Sequence, residues 1–421
     1  MTQDFQKQMC NFLIKHGIKN FIGVPDSTLK NFIEEATKRK KIIIATREEE
    51  AIGIATGMLL TNNLTYMISK LLPLYIFFFL LTGCENTNEK EIKSPRIKSS
   101  IKIKSPLSNE IFYKKDTINF LLDINNNEVK IDSSILYHDD NSITFTNKTN
   151  LPTNSILKFG KNNFKIRTWL SNGKIENHLR TIYLYPKESA KELFFEITNI
   201  FPHNKDSYTQ GLFIDNEILY ESTGQYGKST IKKVNLKSGK IIDLLKLEDK
   251  YFGEGITMYN DKIFLLTWKS KKGFVYDKNT FDKIDEFDYK TEGWGVTTVN
   301  DKIVMSDGTE NLYFINPNTY KIENQIQVYD NNGKVININE LEFINDKIYA
   351  NVYGKDIILI INYSSGKVEN FINLDNVFNK ENYNGKIDVL NGIATNNNKI
   401  YVTGKWWPSM FEIKIINDGT E

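Results

Sequence analysis

Short alternations of apolar and polar residues, separated by polar turns, fill the second half of the chain and predict β-strands. One turn recurs, in which two Asn or Asp residues precede a charged residue and an isoleucine, as in Asn260-Asp261-Lys262-Ile263. Such turns between apolar runs are typical of β-hairpins. The other copies are Asp215-Asn216-Glu217-Ile218, Asn300-Asp301-Lys302-Ile303, Asn345-Asp346-Lys347-Ile348 and Asn397-Asn398-Lys399-Ile400. Their isoleucines lie 40 to 52 residues apart. This period indicates a β-propeller with one blade per repeat, so residues 187–421 are predicted to form a five-bladed propeller.

Residues 101–186 show the same alternation without the repeat. The strands expected there are Thr117–Leu122, Ser142–Thr146, Ser155–Phe159, Asn163–Leu170 and Thr181–Leu184. Short strands with polar turns over this length predict a small immunoglobulin-like β-sandwich. Nothing in it suggests a reaction centre. We interpret it as a spacer, with carbohydrate or protein binding as the alternative.

The first 63 residues have a different pattern. Apolar residues at helical spacing, such as Phe5, Met9 and Phe12, are followed by the short apolar runs 21–24 and 42–45. These features predict helices alternating with strands. The whole chain is therefore expected to be all-β, except for a short α/β fragment at residues 1–63.

Residues 67–84 carry the signature of a secretion signal. Lys70 precedes an apolar run from Leu71 to Leu81, which is too short for a typical spanning helix. The run closes on Leu81-Thr82-Gly83-Cys84, which resembles the bacterial lipobox and implies lipidation of Cys84. We therefore expect a lipid-anchored protein of the bacterial cell envelope, facing the periplasm or the surface. A single membrane-spanning anchor is the alternative.

A signal of this kind acts only at an N-terminus. We therefore expect Met67 to be the functional start and residues 1–66 to be a truncated neighbour or a mistaken gene model. Residues 85–100 follow the signal and are rich in Glu, Asn, Lys and Ser. Such a composition cannot bury a core and predicts a solvated tether.

Charge and metal-ligand content narrow the function classes. Lys and Arg number 54 against 52 Asp and Glu, so the net charge of +2 gives no argument for nucleic acid binding. The two cysteines, Cys10 and Cys84, cannot build a disulfide framework. None of the four histidines lies inside the repeats, which excludes a multi-histidine metal site there. No metal site is predicted, and a monomer is expected.

Aligning the repeats predicts where a ligand would bind. Each repeat begins its innermost strand at one position and returns five residues after the turn isoleucine, so both positions emerge at the same mouth of the central channel. Tyr208 and Phe252, each two residues before such a position, extend the wall. The ten mouth positions are Gln210, Glu254, Trp294, Asn339, Asn391, Thr223, Trp268, Gly308, Tyr353 and Lys405. A concave, mostly apolar cup with few polar groups is the usual form of a ligand site.

Sequence motifs occur throughout the predicted propeller. They include Tyr208-Thr209-Gln210-Gly211-Leu212, Phe252-Gly253-Glu254-Gly255, Gly293-Trp294-Gly295, Asn339-Glu340-Leu341-Glu342, Val389-Leu390-Asn391-Gly392 and Val402-Thr403-Gly404-Lys405. These motifs resemble those of the plant and bacterial type of glutaminyl-peptide cyclotransferase. The resemblance implies that Glu254 is catalytic. It also implies that the substrate is bound by Gln210, Phe252, Trp268, Trp294, Asn339 and Lys405. Tyr208 and Tyr353 replace a usual phenylalanine and tryptophan, and both keep an aromatic face in the substrate site.

The implied reaction converts an N-terminal glutamine of a peptide or protein to pyroglutamate and releases ammonia. Attack by the α-amine is intramolecular, so proton transfer is the remaining task, and one carboxylate with a raised pKa can perform it. No cofactor is required. The alternatives are a non-catalytic envelope scaffold and a propeller lactonase. A lactonase usually needs several metal ligands around its channel.

A second resemblance concerns the N-terminal fragment. Gly23-Val24-Pro25-Asp26-Ser27 and the run 46–57 resemble the start of thiamine-diphosphate-dependent phosphonopyruvate or sulfopyruvate decarboxylases. This resemblance implies that Glu48 matches the glutamate that activates the thiamine ring. The domain that holds the diphosphate and its metal is missing from the match. We therefore expect an inactive fragment that does not bind thiamine diphosphate.

Overall fold

The computed structural model describes residues 10–15, 20–23, 34, 36, 37, 42–44, 65–68, 99–125, 129–380 and 383–416. The chain divides into two compact units, Met1–Arg96 and Ile97–Glu421. In the first unit, residues 10–15 are helical. A parallel sheet has the order β2-β1-β3, formed by β1 (Asn20–Gly23), β2 (Ile42–Ile44) and β3 (Thr65–Ile68). The helix and strands lie where the pattern predicts an α/β fragment, and β3 spans the predicted junction at Met67.

Two sheets of mostly antiparallel strands form a β-sandwich at the start of the second unit. Its strands are β4 (Ile101–Ser105), β5 (Glu110–Tyr113), β6 (Thr117–Ile124), β7 (Ile131–His138), β8 (Asn141–Phe145), β9 (Lys148–Pro152), β10 (Gly160–Leu170) and β11 (Ile175–Tyr185). The sheet orders are β4-β6-β9 and β5-β11-β10-β7-β8. Side chains from both sheets, among them Phe120 and Phe164, meet in one apolar core. Period-two burial along each strand therefore produces the two-layer packing.

The strand predicted at Ser155–Phe159 is wrong. A 3-10 turn covers Thr153–Ser155 instead, and residues 156–159 are not a strand. Ile156 and Phe159 are both buried while Leu157 is exposed, so the buried positions are three apart rather than two. A single apolar cluster of this kind looks like a strand in sequence, although its burial does not alternate.

Four-stranded antiparallel sheets, here called blades 1 to 5, make up the rest of the described second unit. Blade 1 is β13 (Thr209–Asp215), β14 (Ile218–Thr223), β15 (Thr230–Asn235) and β16 (Ile241–Lys246), and blade 2 is β17 (Gly253–Tyr259), β18 (Lys262–Thr267), β19 (Lys272–Asp277) and β20 (Lys283–Asp288). Blade 3 is β21 (Val296–Val299), β22 (Lys302–Ser306), β23 (Asn311–Ile315) and β24 (Ile322–Gln327). A hairpin of β25 (Tyr329–Asp330) and β26 (Gly333–Lys334) follows. Blade 4 is β27 (Ile338–Ile344), β28 (Lys347–Val352), β29 (Ile357–Asn362) and β30 (Val368–Asn373). Blade 5 is β31 (Leu390–Asn396), β32 (Lys399–Gly404), β33 (Ser409–Ile416) and, from before blade 1, β12 (Lys191–Pro202).

The innermost strands close a ring. β13 contacts β17 and β31, β17 contacts β21, and β27 contacts β21 and β31. Each inner hairpin turns through two residues, and Asn216, Asn260 and Asn300 adopt positive φ there. The repeated turn is therefore a true hairpin, as predicted from its Asn and Asp content.

The strand before the first repeat closes the ring. β12 pairs antiparallel with β33, from Phe194 opposite Ile416 to Pro202 opposite Ser409. This confirms the prediction that residues 193–199 supply the outer strand of the last blade. The start of β12 also pairs parallel with β30, which joins blades 4 and 5 into one sheet. Blade 5 thus combines segments from both ends of the propeller, which satisfies an otherwise open edge.

The sandwich docks on the outside of blades 3 and 4. Tyr329 of β25 lies in the sandwich core, with its ring 5.3 Å from that of Tyr185. The backbone N–H of Lys161 donates to Gln327 Oε1 at 2.7 Å. Gly160 sits so close to Gln327 that an added Cβ would approach its Oε1 to 2.6 Å. Backbone contact and a shared core therefore connect sandwich and propeller.

Candidate active site

The residues predicted to ring the channel mouth lie at bulges in the inner strands. The ladder shifts register around Gln210, Glu254, Asn339 and Asn391. A bulge re-aims a side chain and adds local twist. The regular alternation of these four inner strands is therefore broken at the position that faces the mouth.

Glycine follows these positions because neighbouring blades approach closely there. A Cβ on Gly255 would lie 2.6 Å from Val296 N, and a Cβ on Gly295 would lie 1.9 Å from Asn339 O. In blade 4 the position is Glu340 instead. Its carboxylate accepts the backbone N–H groups of Leu212 at 3.3 Å and Ile393 at 2.9 Å. This substitution connects blade 4 to both blade 1 and blade 5.

Glu254 is held from both sides. Its backbone oxygen accepts the Ser222 hydroxyl at 2.5 Å, and the next N–H, of Gly255, donates to Trp294 O at 2.7 Å. Its side chain is only 5% exposed. The backbone that carries the Glu254 side chain is thus fixed on the inner strand of blade 2 by contacts from blades 1 and 3.

The surroundings of Glu254 raise its pKa well above the usual range for a carboxyl group. Burial is the main cause, since the charged form loses its water. The positive charge of Lys405 and the Gln210 side chain oppose the shift, whereas the negative charge of Glu292 adds to it. A carboxyl group whose pKa is raised in this way binds a proton more readily than an exposed one, which suits a group that accepts a proton and then returns it.

Gln210 and Asn339 carry unused hydrogen-bond acceptors. Each side chain is 3% exposed, and Gln210 Oε1 and Asn339 Oδ1 are buried without a partner in the structure. Leaving a buried acceptor unpaired costs about 1–3 kcal/mol. Donors from a bound molecule, such as amide or amine N–H groups, would satisfy both oxygens.

Lys405 brings a buried amine to the same cup. Its side chain is 3% exposed, and its Nζ lies over the rings of Tyr208 at 4.7 Å and Tyr353 at 5.4 Å. Burial lowers the pKa of Lys405, and the charges of Glu254 and Asp388 counter part of that shift. Aromatic faces partly replace the water that the ammonium group loses.

Aromatic side chains form the wall. Phe252 packs edge-on against Trp268 with centroids 5.5 Å apart, and Trp294 packs edge-on against Tyr353 at 5.8 Å. Tyr208 lies 6.3 Å from Phe252. Two glycines leave room for these rings, because a Cβ on Gly224 would meet Phe252 and one on Gly308 would meet Trp294.

Together these groups enclose a cup of about 270 Å³. Its lining comprises Tyr208, Gln210, Gln225, Phe252, Glu254, Trp268, Trp294, Asn339, Tyr353 and Lys405. A small site of this shape, with apolar walls and a few convergent polar groups, suits one side chain and a short stretch of backbone.

A family model described as glutamine cyclotransferase matches residues 171–415. The chain belongs to the glutamine cyclotransferase family. A glutaminyl-peptide cyclotransferase of Arabidopsis thaliana is 40% identical over 227 residues, covering 52% of this chain and 71% of that protein. The crystal structure of glutaminyl cyclase from Myxococcus xanthus matches with a TM-score of 0.51 and 29% identity, covering 54% of this chain and all of that one.

In this glutamine cyclotransferase, every residue that the resemblance implies for the substrate site lines the cup. Three of the ten predicted mouth positions do not. The Thr223 hydroxyl pairs with that of Thr230, Gly308 supports the Trp294 ring, and Asn391 Nδ2 donates to Thr209 O. Aligning the five repeats identifies the correct end of each hairpin. It does not show which of the side chains at that end point into the cup.

Sequence reasoning missed three polar neighbours of the cup. Gln225 lines it from the loop after β14, Asp388 faces Tyr208 and Lys405, and Glu292 accepts hydrogen bonds from two tryptophans. All three lie in loops outside the aligned positions. Glu254 is the only acid among the ten aligned positions, but Glu292, in a loop outside them, adds a negative charge that raises the pKa of Glu254.

Other predicted sites fall elsewhere. Glu48 and Cys84 lie outside the described residues. Within the ranges given above, no group of three or more His, Cys, Asp or Glu side chains is arranged to hold a metal ion. The same ranges contain no helix with the length and apolar character needed to span a membrane.

Proposed function

We propose that this chain is a glutaminyl-peptide cyclotransferase that converts the N-terminal glutamine of peptides to pyroglutamate. One observation carries the proposal beyond family membership: a buried carboxyl group with a raised pKa, Glu254, shares an aromatic cup with the unpartnered oxygens of Gln210 and Asn339. That arrangement suits an uncharged substrate end rich in N–H groups. It supplies proton transfer and orientation, which intramolecular aminolysis needs.

In the proposed mechanism, the α-amine nitrogen of the substrate attacks its own side-chain amide carbon. The Glu254 carboxylate accepts the proton that this nitrogen sheds. Glu254 then returns the proton to the amide nitrogen, whose bond to carbon breaks as ammonia leaves. One C–N bond forms and one breaks, and the proton balance of Glu254 is restored. The reaction involves no oxidation or reduction, so the proposal includes no cofactor.

The remaining residues bind and orient. Gln210 Oε1 and Asn339 Oδ1 accept substrate N–H groups, which satisfies the two buried oxygens. The rings of Phe252, Trp268 and Trp294 pack against the glutamine methylenes and the following backbone. Tyr208 and Tyr353 hold the Lys405 ammonium, which binds a substrate carbonyl.

The proposal is tested by coupled ammonia release from Gln-initiated dipeptides, measured with added chelator. The wild-type protein should release ammonia, and Glu254→Gln should lower kcat by roughly 10²–10⁴-fold, the usual loss for a general acid/base. Glu248→Gln is a matched control, because Glu248 is exposed and pairs with the exposed side chain of Lys250. Normal turnover by a folded Glu254→Gln protein would refute the catalytic assignment. An inactive wild type would favour a non-catalytic envelope scaffold.

We further propose that the protein is a monomer anchored to the bacterial envelope through lipid on Cys84. The apolar run 71–81 and the sequence Leu81-Thr82-Gly83-Cys84 support this. Labelled fatty acid should be incorporated into the wild type and not into Cys84→Ser. A mature protein whose N-terminus lies upstream of Cys84, as determined by mass spectrometry, would contradict lipidation at this residue.

A further inference from the structure

Glu292 makes a bridge between two blades at the wall of the cup. It lies in the loop between β20 and β21 and is half-buried. Its Oε2 accepts the indole N–H of Trp268 at 2.6 Å and that of Trp294 at 3.0 Å. Trp268 follows β18 of blade 2, and Trp294 precedes β21 of blade 3. A single carboxylate oxygen therefore fixes two rings that belong to different blades.

This bridge completes a continuous wall. Trp268 also packs against Phe252, and Trp294 packs against Tyr353. An indole has one hydrogen-bond donor, so each ring has a single polar contact that can set its rotation. Charge-assisted hydrogen bonds are about twice as strong as neutral ones. The placement of the two indole rings relative to each other therefore depends on Glu292.

We propose that Glu292 is a positioning residue for cyclisation, which sets the two indole rings for substrate binding and adds a negative charge beside the catalytic carboxyl group. The proposal rests on the function proposed above. Glu292 acts through Trp268, Trp294 and Glu254, and it has no proton-transfer step of its own.

The negative charge of Glu292 shifts the pKa of Glu254 in a known direction. The charge of Glu292 raises the pKa of Glu254, in addition to the larger effect of burial, while Lys405 lowers it. Tyr289, which is also buried near Glu254, pairs its hydroxyl with the Thr267 backbone. Removing the charge at Glu292 therefore lowers the pKa of Glu254. The acid limb of kcat/KM, where Glu254 must be ionised to accept a proton, then moves to lower pH.

Two variants separate the two effects. Glu292→Gln keeps an acceptor oxygen for the indoles but loses the charge, so KM should change little while the acid limb moves to lower pH. Glu292→Ala loses both the acceptor oxygen and the negative charge. The acid limb of kcat/KM should therefore move to lower pH as in Glu292→Gln, and KM should also rise about tenfold, which corresponds to ~1.4 kcal/mol of lost binding. Glu248→Gln removes the negative charge of an exposed carboxylate and should leave KM and the acid limb unchanged. A Glu292→Gln profile that coincides with wild type would overturn the electrostatic part.

A second measurement does not depend on turnover. In protein labelled with ¹⁵N-tryptophan, the indole N–H resonances of Trp268 and Trp294 are assigned with Trp268→Phe and Trp294→Phe. Both should move upfield in Glu292→Ala, and both should move less in Glu292→Gln. If only one or neither moves in Glu292→Ala, the bridge is refuted. An inactive wild type that shows both shifts would refute the proposed function, and with it the role in cyclisation, while the Glu292 bridge between the two indoles would stand.

Discussion

Glu254 and Lys405 lie in one cup, and burial displaces the pKa of each towards its neutral form. Their charges oppose that displacement, since each favours the ionised state of the other. In the proposed mechanism, proton transfer by Glu254 therefore depends on desolvation and on two neighbouring charges, those of Lys405 and Glu292. Lys405 lowers the pKa of Glu254 and Glu292 raises it, so substitutions at the two residues should shift this pKa in opposite directions.

Lys405→Met tests this prediction. Losing the positive charge raises the pKa of Glu254 further, so the acid limb of kcat/KM should move to higher pH, opposite to Glu292→Gln. KM for Gln-dipeptides should rise about tenfold, because a charged hydrogen bond to a substrate carbonyl is lost. kcat at its pH plateau should fall less than KM rises. Steady-state kinetics across pH ~6–9, which brackets titration of the substrate amine, provides the measurement. An unchanged KM with a collapsed kcat would assign Lys405 to the transition state instead.

At the scale of the strand, four inner-strand bulges and the glycines beside them set the site. The sequence shows these glycines as a repeated feature, and the structure explains them by the close approach of backbone from the next blade. The bulges themselves have no sequence signal, because one extra residue changes the pairing while leaving the apolar pattern intact. Repeat and turns were therefore predictable, whereas the inward turn of individual side chains was not.

Loop residues show the same limit. Glu292 lies only two residues before Trp294, yet its contact with Trp268 depends on how two blades meet. The sequence repeat aligns equivalent strand positions of the blades, but it gives no information about the loops between the blades. Glu254 and Lys405 could be predicted because they fall on that period, and Gln225 and Asp388 could not.

Gly295→Ala should disturb the inner strand of blade 3. The new methyl group would meet Asn339 O, so the backbone of blade 4 must shift, at a cost of about 1–3 kcal/mol. Urea unfolding should show this loss, and kcat/KM should fall because Asn339 moves with its backbone. Gly173→Ala, in the sandwich, is the control: it has open space but a φ of 79°, which costs roughly 1–2 kcal/mol without touching Asn339. Equal kcat/KM in the two variants would argue against the close-approach explanation.

For the whole molecule, a buried polar cluster connects the closing strand to blade 1. The Glu221 carboxylate on β14 accepts His203 Nε2 at 3.0 Å and the Thr209 hydroxyl at 2.7 Å, and Lys232 Nζ lies 3.5 Å away. His203 follows β12 directly, and its Nδ1 donates to Trp407 O at 2.7 Å. Burial by itself would raise the pKa of Glu221, but Lys232, His203 and the hydrogen bonds hold it well below the usual range.

Glu221→Gln should destabilise the fold by about 3–5 kcal/mol at neutral pH, because Lys232 and His203 lose a buried partner. A depressed pKa in the folded state gives stability that is present above the unfolded value, about 4.3, and is lost as pH falls below it. The difference in unfolding free energy between wild type and variant should therefore shrink below that pH. Denaturant titrations from neutral to acid pH measure it. Glu217→Gln, which removes an exposed pair with Lys237, should show little change at any pH. A constant difference across the range would exclude ionised Glu221 as the cause.

The pairing of β12 with β33 also bears on how the ring opens. If the last blade of a propeller lacked a strand from the start of the ring, local unfolding would begin in that blade. Its amide hydrogens would then exchange with solvent first. Here β33, the last strand of the propeller in sequence, lies inside a sheet, with β32 on one side and β12 on the other. Exchange by local unfolding should thus be as slow in blade 5 as in blade 2, and the ring should lose its protection as a single cooperative unit.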